Sequence, residues 1–258
     1  TTLTITTVTT DSSGIFEVRF TVDTQPAGIT TIKATQVNDS NKTGNQLFDI
    51  HANIFQVTPQ EGTVGRIITV RGNGYKATEL IRFDFGNYQT ITTVTSVAEG
   101  SWTVTFTIDT QPYGTTTIIS KGLTSSEQAT NTLRILPNVI LVTPAIGTVG
   151  KQITVSGNGY PAGTQTKILF GTAGTFTVDN FDTAKRITGG LVDSSGSFTL
   201  VFIVNTQPWA TTTIVAVIDS ITPMVSAQNY YFITPNIITV DPPSGTVGTY
   251  ITLVGNGY

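Results

Sequence analysis

The sequence predicts an all-β protein built as a row of β-sandwich domains, and three observations predict it. Gly-Thr-Val-Gly, a short apolar run and Gly-Asn-Gly-Tyr follow one another three times, at 62–75, 147–160 and 245–258. An alternating stretch that ends in Thr-Gln-Pro also occurs three times, closing at Pro26, Pro112 and Pro208. The spacing sets the unit: Gly62, Gly147 and Gly245 lie 85 and 98 residues apart. Such a period is too long for a solenoid repeat of roughly 20–50 residues and suits a sandwich of several short strands.

Residues 1–52 read as the back part of a domain, because Thr1 aligns with Asn87 of the next copy and the strands before that point have no counterpart here. Phe16, Val18, Phe20 and Val22 alternate with Glu17, Arg19 and Thr21, the period-2 pattern of a half-buried strand. Thr24-Gln25-Pro26-Ala27-Gly28 is a turn in which Pro presets φ and Gly adds freedom. A strand over 30–34 follows, then a polar loop over 38–44 and a closing strand carrying Leu47, Phe48 and Ile50.

Residues 53–137 make a complete copy. Val64, Ile68 and Val70 point inward on its second strand, and Ile81, Phe83 and Phe85 alternate with Arg82 and Asp84 on the next. Trp102, Val104, Phe106 and Ile108 then form the inner row of the long strand, so two inner faces supply a sandwich core about 10 Å thick. Residues 138–235 form a second complete copy with an insertion near 172–190, and residues 236–258 carry the first two strands of a further one. The third long strand has Val201 and Ile203 where the second has Thr105 and Thr107. Apolar residues on an outer face imply cover by the insertion, the favoured reading, or contact with a neighbouring chain. Ala52-Asn53, Pro137-Asn138 and Pro235-Asn236 mark the junctions, and links this short hold successive domains at a fixed angle.

Composition narrows the class. The chain is 38% hydrophobic and only 11% charged, against a usual ~25% charged. Thr fills the difference, and a β-branched hydroxyl suits the solvent face of a strand. A net charge of −3 and a pI near 5.0 leave no basic patch for nucleic acid or anionic lipid. Cysteine is absent, which removes disulfides, thiolate metal sites and Cys nucleophiles together. With high Thr and repeated β domains this composition points to an exported surface protein. No apolar stretch long enough to span a membrane and no basic-then-apolar leader is present, so an export signal is expected to have been removed or to lie upstream.

The motif Pro-x-x-Gly-Thr-Val-Gly-x-x-Ile-Thr-Val-x-Gly-Asn-Gly-Tyr, followed by Phe83-Asp84-Phe85-Gly86 in one copy and Ile168-Leu169-Phe170-Gly171 in another, resembles the IPT/TIG subgroup of immunoglobulin-like domains. Asp-Ser-Ser-Gly-Ser-Phe-Thr at 193–199 and Thr-Gln-Pro-Tyr-Gly-Thr-Thr-Thr at 110–117 are similar to segments of such repeats in large prokaryotic cell-surface and surface-layer proteins. The resemblance covers nearly the whole chain and implies tandem Ig-like sandwiches arranged as a rod. It carries over no catalytic residue, since this fold hosts many functions.

The residue inventory also opposes catalysis. His51 is the only histidine and aligns with Leu136 and Thr234, which suits packing at a junction. Without a second His or any Cys, neither a zinc site nor a Ser-His or Cys-His pair can be assembled in one chain. The Gly-Asn-Gly-Tyr segments lack the Gly-Lys-Ser/Thr and the helix of a phosphate loop and read as turns. Asp11, Asp193 and the aligned Glu99 sit beside Ser-Gly turns, where hydrogen bonding to the backbone is favoured over calcium binding. No catalytic, cofactor or metal site is therefore expected.

Asn38-Asp39-Ser40 and Asn41-Lys42-Thr43 are consecutive N-glycosylation patterns, so covalent glycans are possible at Asn38 and Asn41. Val201, Ile203, Ile251 and Leu253 are candidates for contact between subunits, because Ile251 and Leu253 form an inward row with no sandwich to enter. Either the chain continues as a longer array, which is favoured, or the tail strands of one subunit complete the first domain of the next. Trp209 stands at a turn tip where Tyr113 and Ala27 stand in the other copies, suited to packing across a junction or to stacking on a sugar. The expectation is a structural extracellular protein that assembles head-to-tail into a fibre, sheath or surface layer. The alternative is an adhesin stalk or carbohydrate-binding repeat module.

Overall fold

The computed structural model describes residues 4–173, 177–182 and 185–258. Among these it is all-β and Ig-like, with no α-helix.

Two complete sandwiches account for the middle of the chain. In the first, β3 (Asn53–Thr58), β5 (Ile67–Asn73) and β8 (Trp102–Thr107) form a three-stranded sheet. Facing it are β4 (Glu61–Thr63), β6 (Leu80–Phe85), β7 (Tyr88–Thr95), β9 (Gly114–Gly122) and β10 (Gln128–Leu136), in the order β4-β10-β9-β6-β7. The chain changes sheet at Pro59-Gln60, so β4 runs parallel to β10 while the other pairs are antiparallel. Alternation dictates the core: Ile68, Val70, Ile81, Phe83, Phe85, Trp102, Phe106, Ile118, Leu133 and Ile135 all point between the sheets and are buried. Trp102 meets Phe83 edge-on with centroids 4.7 Å apart, a geometry that aromatic quadrupoles favour.

The second sandwich repeats the plan with β11 (Asn138–Thr143), β13 (Gln152–Asn158) and β16 (Phe198–Ile203) in one sheet. The facing sheet has β12 (Ile146–Thr148), β14 (Gln165–Thr172), β15 (Arg186–Leu191), β17 (Thr211–Ile218) and β18 (Val225–Thr234), in the order β12-β18-β17-β14-β15. An amide side chain ties the sheets together at the same place in both. Asn131 Nδ2 donates to the Ile54 carbonyl and Asn229 Nδ2 to the Val139 carbonyl, each at 2.9 Å. Both carbonyls lie where the register slips, between β3 and β5 in one sandwich and between β11 and β13 in the other, and a bulge leaves such groups outside the ladder.

The insertion overturns one expectation. Its described residues Val178 and Phe181 pack on Leu169, Val215 and Val217, on the outer face of the five-stranded sheet. Residues 174–176 and 183–184 lie outside the described residues. Val201 and Ile203, on the other sheet, are uncovered at 45% and 63% exposure. The reason is legible in β17, where Thr213, Val215 and Val217 alternate with Ile214, Ala216 and Ile218 and both rows are buried. The first sandwich has Asp84, Ile119 and Lys121 at the places of Leu169, Val215 and Val217 and carries no such layer.

The flanking segments hold two-stranded sheets, β1 (Gly28–Gln36) with β2 (Asp39–Ile50) and β19 (Asn236–Asp241) with β20 (Thr252–Asn256). The polar loop expected over 38–44 reduces to a turn at Val37-Asn38, and β2 begins at Asp39. The strand expected over 16–22 does not form, and Phe16, Phe20 and Val22 are exposed. Its counterparts β8 and β16 pair only with β5 and β13 respectively, and residues 4–27 have no such strand beside them. A strand without a partner leaves its amides and carbonyls to water.

Candidate functional site

The two repeated phrases meet where one repeat abuts the next. In the first repeat, the Ala27 amide donates to the Tyr75 carbonyl at 2.9 Å. In the second, Tyr113 N–H donates to the Tyr160 carbonyl at 3.1 Å, and in the third Trp209 N–H donates to the Tyr258 carbonyl at 3.4 Å. Thus the residue after Thr-Gln-Pro in one repeat reaches the tyrosine of Gly-Asn-Gly-Tyr in the following one, three times over.

Each part of this contact has a local cause. Asp23 and Asp109 accept from the amide of the next Thr at 2.8 and 2.7 Å, which starts the turn. Gln111 is buried and its amide donates to the Phe85 carbonyl at 3.2 Å, fixing the turn to its own repeat. On the receiving side, the rings of Tyr75 and Tyr160 are fully buried in their own cores. The Tyr75 hydroxyl bonds Ser120 Oγ at 2.6 Å, and the Tyr160 hydroxyl reaches the Ala216 carbonyl at 3.5 Å. Burial pushes the Tyr75 hydroxyl up to about 12, against the Ser120 hydrogen bond, and raises that of Tyr160 also. These phenols stay neutral and act as anchors, leaving the tyrosine backbone free to face the neighbour.

Two glycine positions make the approach possible. A Cβ on Gly74, Gly159 or Gly257 would fall 2.1, 2.2 or 2.7 Å from the carbonyl oxygen of His51, Leu136 or Thr234, the residue near the end of the preceding repeat's last strand. These glycines also have φ between +70° and +74°, where other residues are strained. The second position is the Ser-Gly turn. A Cβ on Gly100 would meet Pro26 Cα at 2.8 Å, and one on Gly196 would meet Pro112 Cα at 2.6 Å. The carbonyls of Gly100 and Gly196 accept the amides of Tyr75 and Tyr160 at 3.1 and 3.0 Å, so a complete junction has three parts: proline turn, tyrosine and glycine turn.

The turn register corrects one alignment. Val97, not Glu99, stands where Asp11 and Asp193 stand, since all three begin the same hydrogen-bonded turn. Asp193 Oδ1 accepts from the amides of Ser195 and Ser197 at 2.8 and 3.0 Å, and with the Ser195 hydroxyl these bonds hold its carboxyl below the usual range. Among the described residues no group of three or more His, Asp or Glu side chains could hold a metal ion.

His51 is at the first junction, its ring nitrogens 3.6 Å from Asp49 Oδ2 and 3.5 Å from Glu127 Oε1, while Glu127 also accepts the Ala52 amide at 3.2 Å. Trp209 meets Phe232 edge-on at 5.8 Å and keeps 58% of its surface exposed. Asn38 is exposed at the tip of the β1–β2 turn and Asn41 is exposed on β2. Ile251 and Leu253 are 62% and 59% exposed on the last two-stranded sheet. Sequence reasoning missed the strut beneath Tyr113: Arg134 donates to its hydroxyl at 2.9 Å, lies 5.8 Å over its ring and is 3.6 Å from Glu61. It also missed Glu79, a buried carboxylate that accepts from the Ser125 hydroxyl at 2.9 Å and from the amides of Thr124, Ser125 and Lys76.

No family model matches the sequence, and no curated protein matches it. Solved structures that are similar include the Yersinia pseudotuberculosis adhesin InvE, at 17% identity and a TM-score of 0.29 over 73% of this chain and 59% of that one. A tetra-tandem repeat from the extending region of a large adhesion protein is similar at 14% identity and TM-score 0.31, over 84% and 61%. The BSP domain of a biofilm-associated protein is similar at 15% and 0.23, over 69% and 29%. The chain thus spans less than two thirds of the length of these three structures.

Proposed function

We propose that this chain is a stretch of an extracellular structural protein, a rod of IPT/TIG-type Ig-like repeats that assembles head-to-tail into a fibre, sheath or surface layer. The repeats are taken as 53–137 and 138–235, with parts of two more in 1–52 and 236–258. One observation carries the reading: the hydrogen bond from the Thr-Gln-Pro turn to the next tyrosine recurs at every junction. A contact kept while Ala27, Tyr113 and Trp209 vary is a contact for spacing domains. The rod needs no catalytic group, and tandem domains joined by nearest-neighbour interfaces are suited to setting distance and bearing load.

Small-angle scattering on the 258-residue chain tests this. An elongated particle with one preferred inter-repeat geometry is expected, and a broad ensemble of angles refutes the rod. A second reading, an adhesin stalk or carbohydrate-binding array, is favoured by the exposed ring of Trp209, which has the flat apolar face that sugars stack on. Retention on a glycan array that Trp209→Ala abolishes would select it. Glycans of the protein's own belong at Asn38 and Asn41, which intact mass after expression in a glycosylating host would detect.

A further inference from the structure

Edge strands decide what a sandwich can attach to, because their outer amides and carbonyls have no partner in the sheet. The edges of the two complete sandwiches are β3, β4, β7 and β8 in one and β11, β12, β15 and β16 in the other. Most of them are blunted. β4 and β12 are three residues long, and the pairings of β3, β7, β11 and β15 each break register once. β8 and β16 instead run unbroken beside β5 and β13, from Trp102 to Thr107 and from Phe198 to Ile203. Neither carries a charge or a proline.

The outward rows of these two strands differ. On β8 the row is Thr103, Thr105 and Thr107, and on β16 it is Thr199, Val201 and Ile203, all exposed. Across the sheet Val201 faces Thr154, which faces Thr143, and Ile203 faces Gln152. The apolar surface therefore follows the edge and does not extend over the face. A partner laid on the face would cover Thr143, Thr154 and Gln152, whereas one at the edge meets Val201 and Ile203. A following repeat does not occupy this edge: β8 is bare at the same place with the whole second sandwich after it.

We propose that β16 pairs antiparallel with β16 of a second copy of this chain across a twofold axis, joining two three-stranded sheets into one. Directly opposed residues share a face of the sheet, so the axis passes through a residue. Placed through Val201, it sets Val201 against Val201, Thr199 against Ile203 and Leu200 against Phe202. Placed through Leu200, it would waste Val201 and Ile203 on Thr199 and Ser197. Charge argues for a second copy as the occupant. A twofold axis brings a charged strand against its own charge, and β16 has none to repel its mate. The two ends of β16 are also opposite in sign. The exposed Asp193 accepts the Ser197 amide just before the strand, and the exposed Lys151 accepts the Val204 amide through its carbonyl just after it. Antiparallel pairing brings the acidic end of one copy toward the basic end of the other. The contact is lateral and closes after two copies, so it goes beyond the head-to-tail reading and does not depend on it.

The chain has no cysteine, so single cysteines report the pairing. Under oxidised glutathione Val201→Cys is expected to form a disulfide with its own copy, and Thr105→Cys, at the matching place on β8, is not. Thr199→Cys and Ile203→Cys chains should cross-link when mixed and much less when alone. Ile203→Lys puts a charge on the edge. Added to Val201→Cys it should lose the band, and alone it should raise the Kd of the parent dimer about tenfold in sedimentation, since both copies lose an apolar contact. Its unfolding midpoint should stay that of the parent, because the side chain is exposed, which separates lost pairing from a lost fold. A parent chain that sediments as a monomer at every concentration, or equal cross-linking of Val201→Cys and Thr105→Cys, overturns the proposal. A dimer indifferent to Ile203→Lys also overturns it and leaves end-to-end contact standing.

Discussion

Gly159 and Gly163 separate the junction from mere backbone strain. Both have positive φ, +71° and +73°, but a Cβ on Gly159 falls 2.2 Å from the Leu136 oxygen and one on Gly163 meets nothing within 4 Å. Gly→Ala at either site costs about 1–2 kcal/mol for holding an L-residue in the left-handed region. At Gly159 the methyl group must also push the Leu136 carbonyl away by about 1 Å to reach van der Waals contact. That displacement acts on the strand end against which Tyr160 sits, and it strips the 3.1 Å bond from Tyr113 to Tyr160. Leaving those groups poorly paired adds about 1–3 kcal/mol. Denaturant unfolding followed by circular dichroism is therefore expected to place Gly159→Ala about 1–3 kcal/mol below Gly163→Ala, and scattering should show a widened spread of inter-repeat angles only for the former. Equal destabilisation of the two variants, within the ~0.5 kcal/mol over which independent sites add, with unchanged scattering, would refute the junction argument.

Other expectations follow from single contacts. Asn131→Ala and Asn229→Ala each orphan a bulge carbonyl that the amide serves at 2.9 Å, and each should cost about 1–3 kcal/mol in its own sandwich, read by urea unfolding. The Glu79 carboxyl is held below its ordinary range because hydrogen bonds from Ser125, Thr124 and Lys76 outweigh the burial that would raise it. Since its pKa is depressed on folding, its contribution is complete above the pKa of the unfolded chain and is lost as pH falls through the folded value. Thermal melts should accordingly show Glu79→Gln less stable than the parent at neutral pH, with the gap closing in acid. Phe181→Ala should expose Leu169, Val215 and Val217, raising binding of a hydrophobic dye and speeding amide exchange in β17 while leaving the first sandwich unaltered. Val201→Thr with Ile203→Thr, on a face already open to water, should change stability by less than about 0.5 kcal/mol.

The strands and the sandwich core were legible because period-2 alternation is a local property: Trp102, Val104 and Phe106 announce their face without knowledge of a partner. Pairing is not local, and the strand expected over 16–22 failed for that reason. Its side chains alternate correctly, but the hydrogen bonds that would make it a strand belong to a segment not beside it. The insertion shows a second limit. The run Ile214-Val215-Ala216-Val217-Ile218 signals burial on both faces, whereas Val201 and Ile203 signal only an apolar outer face, which is open to water. The glycines and prolines of the repeated phrases read as turn residues, and that part was sound. What their repetition served became visible only when Pro112 was found against Gly196, 84 residues away in the chain. Glu79 and Arg134 gave no signal, since a lone charged residue on a strand or loop looks the same whether it is solvated or enclosed.

Tyr75 and Tyr160 each belong to two neighbourhoods at once, the ring to the body behind it and the peptide group to the turn ahead. Melting the body that owns the ring therefore dissolves the seat, whereas melting the body that owns the turn merely vacates it. Tension along such a chain therefore meets, at each of these two seams, a core residue on one side and a surface turn on the other.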